Sequence, residues 1–225
     1  MQIVVWDLPL RLFHWLLALC VTGALVTVSL GGNWMVWHER FGLSVLGLLT
    51  FRLVWGLVGG TYARFSNFFP TPSRVSQYLR GQWQELGHNP LGAFSVFAML
   101  GLFAFQALTG LFSSDDVAFY GPLTRLVDSD VISLLSGWHR STEELIYVVI
   151  GLHILAIVVY RLRGKKLVGA MLHGRKTLTQ QPQTEVESGG GLALSIALII
   201  AIGMVWLAWG SWIPAPPPAP AVPAW

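Results

Sequence analysis

Charge is what this sequence has least of. Only 11% of its 225 residues are Asp, Glu, Lys or Arg, where a soluble domain carries about 25%. With 54% hydrophobic residues and a mean hydropathy of +0.60, the deficit excludes an ordinary water-soluble globule and points to an integral membrane protein. Cysteine is nearly absent. The single Cys20 lies in an apolar run, so no internal disulfide can form and the thiol reads as a small packing residue. No C-x-x-C-H occurs, which excludes thioether attachment of a haem. A recognisable cleavable signal is also lacking: Asp7, Arg11 and His14 interrupt or flank the first apolar run, with no small-residue cleavage pattern after it. The net charge of +3 does not ask for nucleic acid, because basic residues in such a chain set topology.

What is present is long apolar runs. Crossing hydrocarbon takes about 20 helical residues, and five segments qualify: Pro9–Leu30, about Met35–Val58, Leu91–Phe112, about Leu135–Leu162 and Leu192–Ile213. The third contains no charge. The connection 59–90 holds Arg64, Arg74, Arg80 and Glu85, and 161–191 opens with RLRGKK, whereas 113–134 holds Asp115, Asp116, Asp128 and Asp130 against Arg125. The positive-inside rule places both basic connections, and with them the N-terminus, in the cytoplasm. The acidic connection then faces the periplasm of a bacterial inner membrane. The expected organisation is an all-α integral membrane protein: a four-helix bundle over 1–176, a polar linker over 177–191, an extra transmembrane helix over 192–213 and an extended proline-rich tail over 214–225.

Four histidines fall inside these runs. His139 and His153 are fourteen residues apart, which is about 1400° of helix, some 40° short of four turns, and a rise of roughly 21 Å. They share a face near opposite sides of the membrane. His14, near the start of the first helix, is level with His153; His38, near the start of the antiparallel second, is level with His139. Intramembrane ionisable residues mark function, and two level pairs, each bridging two helices, are what bis-histidine ligation of two b haems requires. Proton-relay histidines of a transporter are the rival reading.

The motifs around these positions are VWDLPLRLFHW in the first helix, WHERFGLSVLGLLTFRLVWGLVG in the second, GHNPLG before the third and the His139–His153 pair. Over about Val5–Lys176 the chain resembles the bacterial cytochrome b-561 family, which includes the b-type cytochrome subunits of Ni/Fe-hydrogenases. The resemblance implies a four-helix bundle with two b haems. It assigns His14 with His153 to the cytoplasmic-side haem and His38 with His139 to the periplasmic-side haem, in agreement with the depth argument. It also implies electron exchange between a quinone or membrane-side donor and a partner protein. The fifth helix and the tail lie outside that core.

Haem propionates call for cationic donors. Arg52 lies fourteen residues after His38, on the same face and roughly 21 Å deeper, so it suits the cytoplasmic-side haem, with Arg11 as a second candidate. Arg40 and Arg140 suit the periplasmic-side haem, snorkelling to headgroups being the plainer alternative for Arg11, Arg40 and Arg140. His88 and His173 are candidates for a quinone site, though ordinary interfacial roles weigh more. The acidic 113–134 connection suits a periplasmic c-type cytochrome or oxidoreductase subunit with a basic face. The expected function is transmembrane electron transfer; alternatives are a hydrogenase membrane anchor and a haem-free transporter. Nucleic acid is not an expected partner, and a homodimer stays open.

Overall fold

The computed structural model describes residues 2–83, 87–177 and 187–214. Glu85, most of the expected polar linker and all but the first residue of the proline-rich tail lie outside the described residues.

In chain order the elements are β1 (Gln2–Val4), α1 (Leu8–Leu30), α2 (Met35–Val58), α3 (Phe65–Phe68), α4 (Pro72–Leu79), α5 (Pro90–Gly110), α6 (Ser129–Ser141), α7 (Glu143–Leu162), α8 (Leu167–His173), β2 (Arg175–Thr177) and α9 (Gly190–Trp209). Among the described residues five spans are long and apolar enough to cross a membrane, with α6 and α7 together forming the fourth.

Helix starts follow local chemistry. Asp7 caps α1 by accepting the Leu10 amide at 2.8 Å, with a proline in the first turn where a missing N–H costs nothing. Asn89 caps α5 through the Gly92 amide at 2.7 Å, and Asp128 caps α6 through the Val131 amide at 2.9 Å.

The helix α2 is the hub. It packs along α1, α5 and α9, and nine of its residues between Leu43 and Gly56 are buried. Gly47 lets α9 come close: a Cβ there would stand 2.6 Å from the Val205 side chain. The facing stripe of α9 is small, with Ala197, Ala201 and Ala208 buried, which suits close backbone approach in lipid. Gly23 makes room for Phe41 in the same way at 2.6 Å, while Gly101 and Gly151 face open space. The start of α9 is tied down by an Arg64–Glu187 ion pair at 2.6 Å and by backbone contact between Thr61 and Glu187 at 3.1 Å.

The fourth span differs from the single helix expected over Leu135–Leu162. It begins earlier, at Ser129, and its helical run is broken at the single residue Thr142, whose own amide still donates to the Trp138 carbonyl at 3.1 Å. No proline or glycine causes this. The carbonyl of His139 accepts from Gln106 Nε2 of α5 at 2.8 Å, and side chains inserted into the ladder break helices. The third span ends at Gly110, two residues short of expectation.

On the N-terminal side of the bundle, β1 pairs antiparallel with β2. Gly174, at φ 79°, accepts the amides of Val5 and Trp6 at 2.8 and 3.1 Å. A Cβ on Gly174 would lie 2.5 Å from the Trp6 carbonyl oxygen.

Candidate functional site: two facing histidine pairs

The structure brings the four histidines together as two pairs. His14 of α1 faces His153 of α7 with ring centroids 6.3 Å apart and planes 47° apart. His38 of α2 faces His139 of α6 with centroids 6.0 Å apart and planes at 84°. Each ring is half-buried. A metal–imidazole bond is about 2 Å, so two collinear imidazole ligands have centroids about 6 Å apart. Both pairs therefore have the spacing to take one iron between them.

Their hydrogen bonds fix the chemistry further at one pair. His38 Nδ1 lies 2.9 Å from the Ala24 carbonyl oxygen, and His139 Nδ1 lies 3.0 Å from that of Gln106. A carbonyl only accepts, so both protons sit on Nδ1 and both Nε2 atoms keep a bare lone pair. That is the tautomer a metal ligand needs. Thr109 Oγ1 stands 3.3 Å from the same His139 nitrogen. At the other pair, His14 Nδ1 is buried with no hydrogen-bond partner.

A cavity of about 400 Å³ adjoins the His38–His139 pair, lined among others by Gly42, Gln106, Gly110, Ser114 and Arg140. Gly42, one turn after His38, has nothing within 4 Å of where a Cβ would stand, so a flat ligand can approach the α2 backbone. Gly110 serves the opposite wall: its Cβ would lie 2.9 Å from His139 Cε1, so only glycine lets that ring lie against α5. Among the described residues no three His, Cys, Asp or Glu side chains converge on one point. Two imidazoles leave the remaining positions of an iron to a macrocycle; at His38–His139 the donor set, the tautomers and the adjoining cavity fit a porphyrin, and at His14–His153 the donor set and ring spacing do.

The arginines separate. Arg52 is 1% exposed, its Nη1 and Nη2 are buried without a partner, and its guanidinium lies 4.4 Å over the Phe65 ring. A buried, unpaired cation in apolar surroundings calls for an anion. Arg11 donates to the Leu172 carbonyl. Arg140 lines the cavity and donates to the Ser114 carbonyl at 3.2 Å. Arg40 is exposed, lies 4.8 Å over the Trp37 ring and is not among the residues lining the cavity.

His88 and His173 are not brought together. His173 is exposed at the end of α8. His88 is wedged between Trp6 and Phe68, centroids 4.5 and 4.4 Å away, with its Nδ1 buried and unpartnered. Burial, and then the positive charges of Arg52 and Lys176, push its pKa down to about 3. Beyond the acidic loop's charge, Asp115 Oδ1 accepts the amides of Val117, Ala118 and Phe119 at 2.9–3.0 Å. These bonds hold its carboxyl below the ordinary value.

Sequence reading missed Gln106, Thr109, Gly110 and Thr142. The one signal for Gln106 was an amide alone in a charge-free span.

The sequence profile of prokaryotic cytochrome b561 matches residues 5–174. The chain is 25% identical to the probable Ni/Fe-hydrogenase B-type cytochrome subunit of Cupriavidus necator, over 77% of this chain and 86% of that protein. It is also 25% identical to the probable Ni/Fe-hydrogenase 1 B-type cytochrome subunit of Escherichia coli K12, over 55% of this chain and 66% of that one. The corresponding Rhizobium leguminosarum subunit is 28% identical over 48% and 58%. No solved structure matches the chain significantly. A profile match across most of the sequence, together with five membrane-length helices, shows that this chain belongs to the prokaryotic cytochrome b561 family and is a multi-pass bacterial membrane cytochrome of the b type.

Proposed function

We propose that the chain carries single electrons across the bacterial inner membrane, with its N-terminus in the cytoplasm. It would hold one b haem between His14 and His153 near the cytoplasmic side and a second between His38 and His139 near the periplasmic side. The observation that carries this is the ring spacing of 6.3 and 6.0 Å in two pairs contributed by four different helical elements. Bound haem would supply a one-electron centre that passes between ferrous and ferric iron.

The chain's own residues do the rest. Ala24 and Gln106 hold His38 and His139 with Nε2 free. Arg52 offers two buried donors to a propionate, with Arg11 a second candidate on the same side. Arg140 lines the cavity of the other pair and suits a propionate there. Arg40, turned onto Trp37, is the weakest of the four. A quinone on the membrane side and a periplasmic c-type cytochrome or oxidoreductase subunit are the proposed redox partners. Asp115, which lines the cavity, favours a partner with a basic face.

A second reading is supported by the relatives: the chain would be the membrane anchor through which a Ni/Fe-hydrogenase delivers electrons. Co-purification of a hydrogenase with the tagged chain would favour it. The test of the common core is haem content. Protein purified in mild detergent should contain two b haems per chain, both low-spin. A colourless protein sinks the proposal, and one haem per chain sinks the pairing.

A further inference from the structure

The interruption of the fourth span lies three residues after a proposed ligand, and one side chain makes it. Gln106 of α5 touches His139 at both ends. Its backbone carbonyl takes the imidazole Nδ1 proton at 3.0 Å. Its side-chain Nε2 donates to the backbone carbonyl of His139 at 2.8 Å. Its Oε1 accepts from Thr142 Oγ1 at 2.6 Å, and that hydroxyl also lies 2.8 Å from the Trp138 carbonyl oxygen. The His139 carbonyl fixes the amide orientation, because a carbonyl only accepts and must face the nitrogen, which leaves the amide oxygen towards Thr142.

We propose that Gln106 is a positioning residue for the His38–His139 pair: with Thr142 it breaks the helix after His139, orients the ring, and lowers the potential of the iron held there. The inference rests on the two-haem reading above.

The geometry explains why a break helps. In an unbroken helix, fourteen residues leave His139 and His153 some 40° apart in direction. A continuous fourth span would fix the direction of His139 by that of His153. The α6–α7 interruption uncouples them, and the Gln106 amide satisfies the carbonyl that the interruption frees, which hydrocarbon cannot do. The lower potential follows from the Nδ1–H bond to the residue 106 backbone carbonyl, and the side-chain amide keeps the ring on that carbonyl by holding the His139 backbone. An imidazole donating to a carbonyl is a more basic ligand, and a more basic ligand favours ferric iron. His14 has no such partner on its buried Nδ1, so the two pairs differ on this point.

The experiment compares the wild-type chain with Gln106→Leu and Thr142→Val by potentiometric titration and low-temperature EPR of the purified protein. The two midpoints are assigned beforehand from chains carrying His14→Ala or His38→Ala. Gln106→Leu keeps the backbone carbonyl but releases the His139 backbone, so the ring should come off that carbonyl: the His38–His139 midpoint should rise or that haem should be lost, with the His14–His153 midpoint and signal unchanged. Thr142→Val, which removes only the hydroxyl, should move the same midpoint in the same direction by less. The unaffected haem reports folding within the same molecule. Midpoints that both stay put in Gln106→Leu, or that move together, overturn the assignment of Gln106. A wild-type chain without two haems overturns the reading on which it rests.

Discussion

His38 and His139 face each other from α2 and α6, yet each is held by a helix that carries neither: Ala24 of α1 takes the His38 proton at 2.9 Å and Gln106 of α5 takes that of His139 at 3.0 Å. Four elements therefore converge on one pair, and the ligands are oriented before any iron arrives. Replacing either partner of a pair should have the same consequence. His38→Ala and His139→Ala should each lose one haem of two, and the same one. His14→Ala and His153→Ala should lose the other. Optical spectra with haem quantification decide it. Loss of the same haem from His14→Ala and His38→Ala would contradict the depth pairing.

Gly110→Ala places a methyl 2.9 Å from His139 Cε1, inside any normal carbon–carbon contact, against a ring already held by hydrogen bonds. The ring must leave the position it holds opposite His38. The expected outcome is selective loss or weakened retention of the haem at that pair, with far-UV circular dichroism unchanged. Equal retention of both haems would show that the ring has slack.

Arg52→Met should separate two roles of one side chain. The guanidinium is buried with two unpartnered nitrogens, and stacking on Phe65 offsets only about 0.5–2 kcal/mol of its desolvation. Removing a buried charge that has no partner removes its desolvation cost, and an apolar side chain of similar volume keeps the packing. Haem-free Arg52→Met should therefore resist chemical denaturation better than haem-free wild type, while releasing haem faster when loaded. If the haem-free variant is less stable, the aromatic contacts already satisfy the cation.

The His88 imidazole gives a pH dependence with a definite sign. Its pKa lies at about 3 in the fold against about 6.5 in an unfolded chain. Between these values the unfolded chain binds a proton that the folded chain does not, so stability is fully present above pH 6.5 and falls as pH drops towards 3. His88→Phe keeps a ring between Trp6 and Phe68 and removes the proton. The fall in melting temperature between pH 7.5 and pH 5 should be smaller in the variant. An identical fall in both chains would remove His88 from the account.

The histidine pairing was legible in the sequence because depth depends only on where each apolar run starts and which way it crosses. That Arg52 needs a partner inside the bundle was legible too, since a charge in mid-span stands out, and the structure buries it with two unpartnered nitrogens. What surrounds them was not. Gln106 carries no charge and interrupts no run, and its meaning depends on which side of α5 meets α6. The break at Thr142 was invisible because it comes from another helix's amide rather than from a proline or glycine in WHRSTEEL. The seat of α9 against α2 also hides in plain sequence, since alanines in an apolar run carry no direction until a partner such as Gly47 is found.

The pairing of β1 with β2 has an architectural consequence. It brings residues 2–4 into hydrogen-bonding contact with residues 175–177, so the stretch bearing all four proposed ligands is very nearly a closed ring. A short bridge could join those ends and new termini be opened in the loop after α5, giving a circularly permuted chain with every helix of the histidine frame in place.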